Sequence, residues 1–184
     1  MGTYTVIPQD TFDAMQLDAG ILLTAFDPAD PEVVDANILC ATTGGINIVA
    51  EPTYSDLGED VDNVPVNMKE LKHLDSWDCR FETTGLGTSP ALIQSALGAA
   101  DVDESKVTIR RDLKQGDFST LWWVGDKADG GFVAVKLINA LSTAGFSLQT
   151  TKNGKGQVSL TFTGHVSIDS QNTMPMEFYS IDGE

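Results

Sequence analysis

Apolar and polar residues alternate along much of the chain. From Val158 to Ile168, Val158, Leu160, Phe162, Val166 and Ile168 interleave with Ser159, Thr161, Thr163, His165 and Ser167, and Gly164 is the one gap on the apolar side. A period of two marks a strand with one buried and one wet face. Gly145 to Thr151 is its expected hairpin partner, because Lys152-Asn153-Gly154-Lys155-Gly156 supplies residues that tolerate positive φ in a tight turn. A second hairpin is predicted between Leu121–Gly125 and Phe132–Leu141, turned through Asp126 to Gly131, with Val133, Val135, Leu137 and Leu141 on one side. Trp77, Cys79 and Phe81 alternate with Asp78, Arg80 and Glu82, and Met174, Met176 and Phe178 repeat the pattern. Adding Ile21–Phe26, Ile38–Thr42, Ile46–Tyr54 and Val107–Arg110 gives enough strands for two packed antiparallel sheets or a barrel, in a single domain over residues 1–184.

One helix stands out among the strands. Ser89 caps it, Pro90 takes its first position, Leu92, Ile93, Ala96 and Leu97 form an apolar face, and Gly98 stops it. Such a helix, Ser89 to Leu97, is expected to lie against a sheet or cover an open end. A short turn is expected within Asp112 to Phe118. Asp27 to Asp35 and the longer polar stretch Ser55 to His73 are loops, and the second is long enough to be either a solvated excursion or a partner contact. Gly2 to Val6 and Ser180 to Glu184 read as extended arms.

Composition narrows the partners. Among 184 residues, 11 are Lys or Arg and 27 are Asp or Glu, a formal net charge of −16 with no basic stripe, so gripping nucleic acid or an anionic membrane is disfavoured. No apolar run has the roughly 18 residues that a bilayer span needs, and the N-terminus has no secretion-signal pattern. Cys40 and Cys79 sit in apolar stretches and read as buried thiols of a reducing cytosol.

Motifs of known chemistry fail on particular residues. Around Lys155 the phosphate-loop spacing is absent. Asp56, Glu59, Asp60 and Asp62 lack the calcium-loop continuation, because Val64 and Pro65 stand where a ligand and a glycine belong, and the cluster reads as surface charge. His73 and His165 are the only imidazoles, and His165 falls on the polar face of a strand, where a solvated side chain is expected. No G-x-S-x-G elbow is present, and paired carboxylates stay open because only their separation in space decides. The expectation is a protein that is not an enzyme, with no metal and no cofactor. Of the tryptophans, Trp77 reads as core, whereas one of the adjacent Trp122 and Trp123 must point away from the core of its strand and suggests an interface.

The order of several segments resembles bacteriophage major tail proteins. These are Gly45-Ile46-Asn47-Ile48-Val49, Tyr54 through Pro65, Met68-Lys69-Glu70-Leu71, Asp75-Ser76-Trp77-Asp78-Cys79, Gly98 to Val102, Arg111-Asp112-Leu113, Leu121 to Asp126, Gly130 to Val135, Asn139 to Thr143, Gly145 to Thr151, Lys155-Gly156 and Phe162 to His165. The resemblance runs from about Asp35 to Tyr179. It implies a tail-tube subunit of a long non-contractile tail, with a β-sandwich or barrel and a flanking helix. Six such subunits form a ring, their strands join around a lumen through which DNA passes, and the rings stack. The implied location is the virion, after assembly in the host cytoplasm, with tape measure, tail initiator and terminator proteins as further partners. On this basis Ser55 to Leu74 is the expected stacking loop, with Ser55, Asp56, Glu59, Asp60, Asp62, Asn63, Lys69 and Glu70 as contact residues. Gly2–Val6 and Met174–Glu184 are the expected arms. Gln149, Ser159, Thr161, Thr163, His165 and Ser167 are the lumen candidates, and Trp122 and Trp123 the aromatic contacts between subunits. The alternative is a β-sandwich module that binds carbohydrate or another ligand through an exposed Trp122 or Trp123. Six copies would bring about 96 negative charges together, which favours an acidic or polar bore from which DNA is repelled.

Overall fold

A computed structural model describes residues 7–183. Eight strands form one folded-over antiparallel sheet ordered β1(Gln16–Leu23), β6(Ser119–Lys127), β7(Phe132–Ser142), β9(Gln157–Thr163), β3(Lys72–Leu86) and β2(Ala41–Asp56), with β10(Met176–Ile181) on β7 and β8(Ser147–Gln149) on β9. The fold is therefore a mainly antiparallel β-sandwich with one flanking helix, as the alternation predicts. β7 turns the corner: its Phe132–Leu137 half pairs with β10, and Leu141 and Ser142 pair with β9. At the other end, Leu39 N–H donates to Leu22 C=O at 2.9 Å and Thr24 N–H to Asn37 C=O at 2.8 Å, so β1 meets the segment that enters β2. The layers enclose a core that includes Leu22, Phe81, Leu121, Trp123, Val135, Leu137, Val158, Leu160 and Phe162.

Helix α1(Pro90–Leu97) forms as its caps predict. Ser89 Oγ accepts from Leu92 N–H at 3.3 Å, Gly98 takes φ +72°, and the buried Leu92 and Ala96 pack into the core. Ser142 Oγ then donates to Ala96 C=O at 2.6 Å and fastens the helix to the end of β7. Beside it lies a separate small hairpin of β4(Ala100–Asp103) and β5(Lys106–Ile109). Within the expected turn region, a single 3-10 turn covers Gln115–Asp117.

Several boundaries differ from the reading of the sequence. Ile38–Thr42 and Ile46–Tyr54 are not separate strands: β2 is continuous for 16 residues, and Gly44 and Gly45, at φ +79° and +85°, form a bulge rather than a break. β1 starts and ends earlier than Ile21–Phe26, because Asp18 and Gly20 adopt positive φ in a bulge that hides the period. The C-terminal segment is no arm. Met176–Ile181 is β10 of the subunit's own sheet, and the Asp182 carboxylate accepts from the Lys127 ammonium just beyond it. Gly2–Val6 and Glu184 lie outside the described residues.

Candidate interaction surfaces

The expected loop Ser55–His73 is a loop from Leu57 to Leu71, and its two ends belong to strands. β2 runs on to Asp56 and β3 begins at Lys72, with Ser55 opposite His73 and Asp56 opposite Lys72. β9 covers β3 only from Arg80 onward and Cys79 is still buried in the core, so Glu51–Asp56 and Lys72–Asp78 project past the body as two strands. Their length, roughly seven residues at about 3.3 Å each, is on the order of 23 Å. Alternation becomes uninformative here because neither face meets a core.

One face of the ribbon is apolar nonetheless. Pro52 lies opposite Trp77 and Tyr54 opposite Leu74, continuing the side that carries Cys79 and Phe81. Trp77, expected in the core, is 39% exposed, with Leu74 at 42% and Tyr54 at 53%. The strand simply outruns the interior that its alternation implies. Leu57–Leu71 closes the tip as a compact loop: Asp56 accepts from Gly58 N–H at 3.0 Å and Asn67 N–H at 2.8 Å, which holds its carboxyl below the ordinary aspartate value with help from Lys72. Glu59, Asp60, Asp62 and Asn63 are exposed on that tip, and Lys69 and Glu70 pair with each other at 3.4 Å.

Four of the six lumen candidates share a face. Ser159, Thr161 and Thr163 stand opposite Thr84, Glu82 and Arg80, and Ser159 and Gln157 stand opposite Ser147 and Gln149 of β8. Asn47 and Glu51 of β2 extend the same face, and Arg80 is clamped there by Asp78, by Glu82 at 2.7 Å and by Glu51 at 3.9 Å. The side-chain hydrogen bonds to Arg80 and Asn47 hold Glu82 below the usual glutamate range.

His165 and Ser167 do not belong to it. β9 ends at Thr163, Gly164 N–H donates to Cys79 C=O at 2.9 Å, and the chain crosses toward β7. A side chain at position 164 would press on Leu137 Cδ1 at 2.7 Å. His165 is half-buried rather than solvated: its ring stands edge-on to Phe118 at 5.4 Å, its Nδ1 lies 3.1 Å from Asn139 C=O, and its own C=O accepts from Asn139 Nδ2 at 3.0 Å. Ser167 Oγ accepts from Asp169 N–H in a short turn.

Trp122 and Trp123 are both buried, each 7% exposed, contrary to the expected outward member of the pair. Trp123 enters the main core and its Nε1 donates to Ala19 C=O at 3.0 Å. Trp122 faces the opposite side, where Phe26, Tyr179 and the Lys136 ammonium, 5.5 Å above its ring, cover it. A second apolar layer that sequence reading missed therefore closes this face; its residues come from the loop after β1 and from β10, which are remote in sequence.

Ion pairs tie down the remaining irregular segments. Arg110, nearly buried, meets Asp117 through Nη2 and Asp101 through Nε at 2.9 Å, the second as a charge contact without aligned hydrogen-bond geometry. Lys114 N–H at 2.7 Å is the main cause that holds the Asp117 carboxyl below its ordinary value, with Arg110 adding to it. Gly131 N–H and then Lys127 do the same for Asp129, and Tyr179 and Lys136 for Glu177. Depressed carboxyl values mean stability that is present above the unfolded value and lost as pH falls through the folded one. Urea titrations should therefore give a constant midpoint between pH 7 and pH 5 and a falling one below about pH 4. A midpoint unchanged at pH 3 would contradict the pairing of these carboxylates. Cys40 and Cys79 are free thiols, both raised above the usual cysteine value by burial.

Charge is unevenly distributed along the fold. Although the chain has 27 carboxylates, none lies between Gly130 and Ile168, a stretch that carries Lys136, Lys152 and Lys155. Among the described residues, neither Lys152 nor Lys155 has a carboxylate within 4.0 Å, and both are exposed in the turn before β9. No family model matches the chain, and no curated protein matches it in sequence.

Proposed function

We propose that this chain is the structural subunit of a phage tail tube, in which six copies form a ring and stacked rings enclose a conduit for DNA. The observation that carries the reading is the projecting β2–β3 ribbon, whose apolar face, with Pro52 opposite Trp77 and Tyr54 opposite Leu74, leaves Tyr54, Leu74 and Trp77 exposed among the described residues. A free-standing two-stranded hairpin is marginal in water, and apolar surface left exposed by a monomer marks a contact. The same segment carries much of the residue resemblance to major tail proteins. The outer edges of β10 and β2 leave backbone groups available for pairing between subunits, and a heterologous contact of this kind closes into a ring when its rotation allows. The polar face of β8, β9, β3 and β2 supplies a surface over which a polyanion slides without being held. Tape measure, initiator and terminator proteins would be the partners at the ends and in the bore.

Negative-stain microscopy of the concentrated full chain tests this directly, with hollow tubes of regular axial repeat expected. Leu74→Ser with Trp77→Ser should abolish the tubes while the subunit still folds, with a stability loss of about 1–2 kcal/mol from these half-exposed side chains that melting curves would verify. Monomers at every concentration, or virion tails lacking the protein, would overturn the reading.

A further inference from the structure

We propose that the tip of the β2–β3 ribbon in one copy docks on the Lys152–Lys155 turn of a second copy, so that subunits join head to tail through oppositely charged ends. The inference rests on the self-assembly reading above and names the surface that receives the ribbon.

Topology places the two surfaces at opposite ends of one sheet. β3 starts at Lys72 beside the tip and finishes at Leu86, where Gln157, the first residue after the turn, pairs with it. Fourteen residue steps at about 3.3 Å separate tip from turn by on the order of 45 Å. They cannot meet within one subunit, but translation of a second copy along the strand direction brings them together. The tip segment 57–71 has four carboxylates, Glu59, Asp60, Asp62 and Glu70, against the single Lys69, a net charge of −3. The turn segment 150–157 has two lysines and no carboxylate, and it lies inside the one long carboxylate-free stretch of this acidic chain. At physiological salt the screening length is about 8 Å, so such charges act only on close approach, where they fix orientation and the rate of encounter more than affinity. Affinity then needs apolar contact, which both ends offer: Leu57, Val61 and Val66 are exposed at the tip, and Leu148 is exposed beside the turn. Tip against tip is repulsive and tip against turn is attractive, so growth is polar.

The test uses charge exchange in the full-length protein, with association followed by sedimentation velocity and microscopy, and with melting curves to verify folding. Lys152→Glu with Lys155→Glu should raise the concentration for half-association about tenfold or more, as should Asp60→Lys with Asp62→Lys. The combined exchange of all four residues should recover most of the wild-type association, and rising salt should weaken the wild type. If the lysine-reversed protein assembles as the wild type does, or if the fourfold exchange recovers nothing, the docking surface is wrong while the tube reading stands. If the wild type never associates, both fall together.

Discussion

Replacing Phe81 by alanine is expected to cost about 3–5 kcal/mol, because the ring is fully buried in the core between the layers. Phe81 stands between Ile48 of β2 and Phe162 of β9 in register, so the cavity would open at the meeting of three strands. Domains of this size hold only about 5–15 kcal/mol in total, and each lost kcal/mol lowers the melting temperature by about 2–4 °C. Urea unfolding of wild type and variant would measure it. A loss below about 1 kcal/mol would mean that the layers do not close on this ring.

Gly20→Ala should be the next most damaging single change described for β1. Gly20 takes φ +67° in the bulge between Leu17 and Ile21, and an added Cβ would meet the Val124 carbonyl oxygen and, at 2.6 Å, Trp123 Nε1. Both obstacles belong to the adjacent β6, and the indole is already committed to Ala19 C=O. Left-handed strain and overpacking together are expected to cost on the order of 3 kcal/mol. Gly44→Ala is the control: its φ of +79° is similarly strained, but nothing lies within 4 Å of the new Cβ, so only about 1–2 kcal/mol should be lost. Equal losses at the two sites, read from denaturant midpoints, would show that contact with β6 does not matter.

What sequence reasoning recovers follows from where the physics is local. The hairpin from β6 to β7 and helix α1 are legible because turn residues, caps and period are set by neighbours in the chain: Lys127 N–H reaches Gly131 C=O at 3.0 Å across the expected turn, and Ser89 caps α1. Alternation also sorts Ser159 and Thr161 from Val158, Leu160 and Phe162. It fails at Trp77, whose parity is that of a core residue although β9 stops short of it, and at Trp122, whose outward face is covered by Phe26 and Tyr179 from distant segments. His165 fails differently, because the strand ends two residues before it and packing against Phe118 replaces solvent. The tip residues Glu59, Asp60 and Asp62 are visible as a charge run in sequence, but their distance from Lys152 and Lys155 becomes visible only once β3 and β9 are paired. The polar candidates of β8 and β9 converge on one face for the same reason.

The sharing of β7 between the two layers has a mechanical consequence. Because Phe132–Leu137 bonds to β10 and Leu141–Ser142 to β9, a tear that begins in either layer must pull on the same backbone before it spreads. The subunit therefore resists load and heat as one cooperative body rather than as two leaflets that peel apart in turn. A tube of the proposed kind would then yield first at its joints, and the bricks would stay whole.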